Sequence, residues 1–243
     1  MRPFLTAEWR HLLMLNYAVA PDLLRPYLPC GVELDTWHDS TYVSMVGFLF
    51  LGTKVLGLRV PWHGNFEEVN LRFYVRRRIS GSWRRGVVFI KEIVPRQLVA
   101  AVARLCYNEP YAAVPMRHSV EVENDHLRSG ALVEYGWRYR NHWNSLRATT
   151  VGAPYLPGDG SKEEFITEHY WGYTAQRNGG CAEYEVEHSR WKVWQVQDAS
   201  LHCDVTSLYG INFAAPLANP PESAFVAEGS PIMVGSGVIL RPS

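Results

Sequence analysis

Between Asn65 and Arg76 the chain reads N-F-E-E-V-N-L-R-F-Y-V-R, and the alternation in this stretch limits the fold more than any other feature. Val69, Leu71, Phe73 and Val75 share one parity, while Glu68, Asn70, Arg72, Tyr74 and Arg76 share the other. Successive side chains of a strand point to opposite faces, so the pattern specifies a strand with one apolar and one polar face. The alternation leaves open what the polar row faces. Antiparallel sheets usually have one wet face, and on periodicity alone the row reads as solvent-facing. The residue types argue the other way. An acid, an amide, a guanidinium and a phenol at successive i+2 positions can form a hydrogen-bonded row suited to a carboxylate or carbonyl.

The remaining chain supplies partners for such a strand. Leu12 to Val19 reads as a buried strand, followed by a short helix opened at Pro21-Asp22 and ended by Pro26 and Pro29. Tyr42 to Leu51 is a further apolar strand. Gly86 to Val94, after Ser80-Gly81-Ser82, makes a hairpin with the alternating stretch. Pro95 to Tyr107 has a first-turn proline and apolar residues at helical spacing, and predicts a helix. Short β-like runs cover Val114 to Glu123, Ala131 to Arg140 and Trp143 to Val151. Ser161-Lys162-Glu163-Glu164 has the capping-box pattern of a helix reaching about His169. Tyr170 to Arg177 and Cys181 to His188 flank Asn178-Gly179-Gly180 as a hairpin. Strands are also expected around Lys192 to Gln197 and Ile232 to Leu240, with a proline-rich loop at Leu217 to Ser223. The sum is an α+β chain dominated by antiparallel strands, curled or closed, with two or three helices.

With 243 residues and 47% hydrophobic content, one domain spanning 1–243 is expected. Twenty-four basic and 24 acidic residues cancel, leaving no global field to gather nucleic acid or an anionic membrane. A small molecule is the expected partner, with no nucleic acid and no membrane; association into a homo-oligomer is left open. Cys30, Cys106, Cys181 and Cys203 are scattered without a C-x-x-C pair, consistent with reduced thiols. No signal-peptide or membrane-span pattern is present, so a cytoplasmic location is expected.

Several constellations carry little. Lys91 sits among Val87, Phe89 and Ile93 by parity, where desolvation could make it an imine-forming amine; an edge or snorkelling position explains it better. His188, His202 and Cys203 lack metal-ligand spacing, and neither metal nor cofactor is expected. Nucleophile-elbow, phosphate-loop and dinucleotide motifs are absent. Arg76-Arg77-Arg78 with Arg84-Arg85 makes a basic hairpin end, read as a solvated turn rather than a phosphate site.

Asn65 to Val75, Ala103-Arg104 followed by Pro110-Tyr111, Glu164-Phe165-Ile166-Thr167-Glu168-His169-Tyr170 and His188-Ser189-Arg190-Trp191 together resemble the YqjF-like uncharacterised family, within the acetoacetate decarboxylase-like superfamily. The resemblance implies a cone-shaped barrel or double sheet. In the decarboxylases a lysine with a neighbour-depressed pKa forms a Schiff base with a β-keto acid, assisted by an arginine and glutamates. A gapless comparison puts Arg104 on the helix arginine, Pro110 on the turn proline, and Tyr111 and Ala112 on the two lysines. By the same comparison Arg10 takes the place of the active-site arginine and Glu68 that of a site glutamate. The covalent machinery is therefore missing while acid/base and anion-binding parts remain.

The expected function is a pocket for an organic acid or carbonyl compound. Glu68 and Tyr111 would be the catalytic pair of a lyase, isomerase or hydratase that uses no Schiff base, with Arg10, Asn70 and Arg72 binding substrate. The alternative is a non-catalytic ligand-binding or sensing domain that kept the pocket and lost the lysine.

Overall fold

The alternating stretch forms strand Phe66–Ile79, which pairs antiparallel with Thr41–Val55 on one side and Ser82–Val94 on the other. The computed structural model describes residues 3–59, 64–96, 108, 110–124 and 126–241. The helix expected over Pro95 to Tyr107, with Arg104, falls almost wholly outside the described residues.

Hydrogen-bonded neighbours run in the order Cys181–His188, Trp171–Ala175, Ser82–Val94, Phe66–Ile79, Thr41–Val55, Leu5–Val19 and Ser223–Val234. The last of these returns to the first through Val186–Val234, Glu187–Met233 and His188–Ile232. Seven strands thereby close a ring. From Ser223–Val234 the sheet also continues outward through Val193–His202, His142–Tyr155, Leu132–Tyr139 and Met116–Val120. This second leaf folds over the outside of the ring.

The two parities of each ring strand therefore face two different cores. Val69, Leu71, Phe73 and Val75 point outward and pack with Tyr135, Trp137 and Leu146 of the leaf. Leu12, Met14, Val46, Phe48, Phe66 and Tyr74 point inward. Each buried Leu or Phe contributes roughly 1.5–3 kcal/mol, so both faces of the ring are driven to be dry. Gly47 lets the leaf pack closely on the ring, since a Cβ there would lie 2.6 Å from the Tyr135 ring.

Several elements differ from expectation, each for a local reason. The first strand starts at Leu5 rather than Leu12, because an irregularity between Arg10 and Leu13, with His11 at φ 57°, breaks its alternation. Ser161 caps helix Lys162–Thr167 by accepting from the Glu164 amide at 3.2 Å, but the helix stops at Thr167, short of His169. Helices Val205–Tyr209 and Ile211–Ala218 occupy a stretch that carried no helix signal, the second running into the segment read as a loop. With Pro21–Leu24 this makes four α-helices among the described residues. Ser223–Val234 is a ring strand where only its end was expected, and Val238–Leu240 is separate from it. Among the described residues no helix is long and apolar enough to cross a membrane.

Candidate functional site

The ring encloses a cavity of about 300 Å³, and each of its seven strands contributes to the wall. Phe66, Glu68, Asn70 and Arg72 line it from Phe66–Ile79, so the polar row faces the inside of the ring and not bulk water. Glu68 is 3% exposed, Asn70 2% and Arg72 8%. Asn70 Nδ2 donates to Glu68 Oε1 at 3.0 Å, and the Tyr111 hydroxyl donates to Glu68 Oε2 at 3.1 Å. The short parallel strand Tyr111–Ala113 places that phenol by pairing Tyr111 with Glu92.

Arg72 is the exceptional group. Its Nη2 donates to the Ile166 carbonyl at 3.4 Å, its Nε is buried without an acceptor, and it pairs with no carboxylate among the described residues. A buried guanidinium without a counter-charge is costly. The arginines of the neighbouring hairpin end are arranged differently. Arg76 pairs with Glu33, Arg77 and Arg84 with Glu183, and Arg85 with Asp35. Four of the five arginines of that basic end are thus held in ion pairs, while Arg78 and the turn at Ser80 to Trp83 are exposed as expected.

Arg10 stands apart from the predicted group. It is held by Glu8 at 2.7 Å, with Nη1 3.5 Å from the Gly229 carbonyl, and it does not line the cavity. The bulge that disturbs the alternation after Arg10 explains why its position was not legible from spacing.

A second bulge settles where Lys91 points. Asn70 pairs with Glu92 and Leu71 with Lys91, but Arg72 pairs with Phe89, so one extra residue reverses the parity of Ser82–Val94. Val87, Phe89 and Glu92 consequently face the cavity while Lys91 turns to the other side and donates to the Leu208 carbonyl. Burial lowers its pKa, but its amine is not on the cavity wall.

Sequence reasoning missed Glu92, hidden by that bulge, and His169, which was read as the end of a helix. His169 lines the cavity with Nε2 3.2 Å from Asp35 Oδ2. Burial outweighs the carboxylate and pushes the imidazole down to about 4. Burial alone would raise Asp35, but bonds from His169 and Arg85 hold it below its usual range. His188 is stacked between Tyr170 and Trp191 at 4.6 and 4.2 Å, also on the wall. His202 pairs with Ser145 on the outer leaf and does not line the cavity.

Comparison with known proteins agrees with this architecture. The chain is 25% identical over 207 residues to the uncharacterized protein YqjF of Bacillus subtilis, covering 84% of this chain and 80% of that one. Acetoacetate decarboxylase from Legionella pneumophila superposes with a TM-score of 0.66 at 14% identity, covering 98% of this chain and 87% of that one. The enduracididine biosynthesis enzyme MppR, complexed with pyruvate, superposes at 0.69 and 14% identity, covering 100% and 92%. The fold is therefore acetoacetate decarboxylase-like. The profile of DUF2071, a family described as an uncharacterized conserved protein, matches residues 6–231, and the chain belongs to that family.

Proposed function

We propose that the ring cavity binds a small organic acid or carbonyl compound and acts on it by proton transfer without a Schiff base. The observation that carries this reading is Arg72, a buried cation lacking a carboxylate partner among the described residues, on the same wall as the Glu68–Tyr111 pair. A ligand carboxylate would supply the missing counter-charge through a charge-assisted hydrogen bond. Glu68 would then take a proton from the carbon next to the carbonyl, the electron pair passing to the carbonyl oxygen as an enolate. Tyr111, turning its one O–H from Glu68 to that oxygen, would donate to it, and Asn70 would hold Glu68 in place. Return of the proton from Glu68 would complete the exchange. Tyr111 and Ala112 stand where the resemblance expects lysines, and Lys91 lies on the other face, which supports chemistry without an imine. The neighbour carrying pyruvate in its complex supports an acid as ligand, by fold analogy alone.

Binding and turnover are tested separately. A native-state ligand raises the melting temperature by mass action, so pyruvate and propanoate at millimolar concentration should stabilise the chain and lose that effect in Arg72→Met. In D2O, proton NMR of added pyruvate should show deuterium entering the methyl group. Glu68→Gln should abolish the exchange while binding persists. Binding without exchange would leave the non-catalytic sensing domain as the correct description.

A further inference from the structure

Charged groups line one end of the cavity, where Phe89 also stands opposite Arg72, an aromatic cluster lines the other, and the strand register gives the separation. Phe66 and Arg72 lie on the same parity of one strand, six residues or about 20 Å apart at 3.3–3.4 Å per residue. Phe50 pairs with Phe66 across one seam and Trp9 with Phe50 across the next, building an aromatic ladder with ring centroids 4.7 and 5.8 Å apart. Phe48, opposite Glu68, joins the ladder 5.3 Å from Trp9. Arg72 lies at the other end, beyond Asn70.

A two- or three-carbon acid held by Arg72 would end near Asn70 and leave the aromatic end to water. Among the described residues Trp9 Nε1 and Thr53 Oγ1 are the buried polar atoms left without a partner at that end, so few waters would find the two to four partners they need. The volume of about 300 Å³ is equivalent to about ten water molecules at ~30 Å³ each. We infer that the cavity takes a carboxylate with an extended apolar or aromatic body of about ten non-hydrogen atoms, its anion at Arg72 and its tail against Trp9, Phe48, Phe50 and Phe66. This rests on Arg72 as the anion anchor and adds the class of acid. Burying the tail adds affinity in proportion to apolar area, while the anion fixes orientation.

The test compares 3-phenylpropanoate, propanoate and the neutral 3-phenylpropanamide by titration calorimetry on the full chain, with tryptophan fluorescence as a second readout because Trp9 and Trp191 line the wall. The phenyl acid should bind roughly tenfold or more tightly than propanoate and than the amide. Phe50→Ala should narrow the gap between the two acids by weakening only the phenyl compound. Propanoate binding as tightly as the phenyl acid would overturn the tail assignment and leave the anion site standing. Equal affinity for acid and amide would overturn the carboxylate requirement, and binding of none of the three would overturn the anion-site reading as well. These ligand comparisons use the unsubstituted protein and need no variant to fold.

Discussion

At the scale of single residues, Arg72 and two histidines make stability depend on conditions. Arg72 leaves its Nε without an acceptor inside the ring, a desolvation cost that a ligand anion would offset. Arg72→Met keeps a long apolar stem and removes the charge, so in the absence of ligand it should leave stability unchanged or raise it by about 1–4 kcal/mol. Urea denaturation of both proteins checks this, and a marked loss of stability would mean that the guanidinium already has its partner. The buried His169 and the half-buried His11 act through pH. Burial lowers His169 to about 4, and burial together with Arg10 and His118 lowers His11 to about 4, from an ordinary 6.5. A depressed folded pKa means that the unfolded chain binds the proton first. The stability these groups contribute is complete above about 6.5 and is lost as pH falls toward 4. Each should add a slope of about 1.4 kcal/mol per pH unit in that window. His169→Gln should remove one such increment; an acid limb unchanged in that variant would contradict the assignment.

At the scale of elements, irregularities decide which side chains reach the cavity. Gly229 pairs with Arg10 where the first strand bulges, has φ 82°, and would bring a Cβ to 2.0 Å from the Trp9 carbonyl. Gly57 has the same φ with open space around it. Gly57→Ala should therefore cost about 1 kcal/mol from backbone strain, and Gly229→Ala about 3 kcal/mol or more because backbone must also move. Chemical denaturation of the pair separates conformation from crowding, and equal costs would show that the close approach relaxes freely. The same irregularities mark the limit of what the sequence made legible. Where alternation is unbroken, as from Glu68 to Tyr74, both the strand and its two faces could be read directly. Parity counting fails across a bulge, and it assigned Lys91 to the side that Glu92 in fact occupies. Val205–Tyr209 and Ile211–Ala218 are too short for periodicity to register, and the prolines at 220 and 221 pointed to a loop from Leu217. Whether a polar row faces water or a cavity depends on ring closure, which no local pattern encodes.

At the scale of the whole molecule, the ring is unevenly sewn. Leu5–Val19 is paired along most of its length to Thr41–Val55 and to Ser223–Val234. The hairpin Trp171–Ala175 and Cys181–His188 is joined far more lightly. Among the described residues its inner edge meets Ser82–Val94 through Trp171–Gly86 and Gly172–Val87, with the Tyr170 amide donating to the Arg85 carbonyl and Glu183 receiving Arg77 and Arg84. Its outer edge closes the ring through three pairs from Val186–Val234 to His188–Ile232. That hairpin carries Trp171, Tyr184, Val186 and His188 of the cavity wall. Few backbone pairs per seam should make it the segment that opens at the least free energy, and opening it would expose the cavity without unfolding the strands that hold Glu68 and Arg72. Native-state hydrogen exchange should therefore show the amides of Trp171–Ala175 and Cys181–His188 exchanging through a sub-global opening, faster than those of Phe66–Ile79 and Leu5–Val19. A ligand inside the ring should slow exchange in the hairpin most, because it binds the closed form and shifts the population toward it. Uniform protection around the ring, unchanged by a bound ligand, would mean that the cavity is reached by some other route.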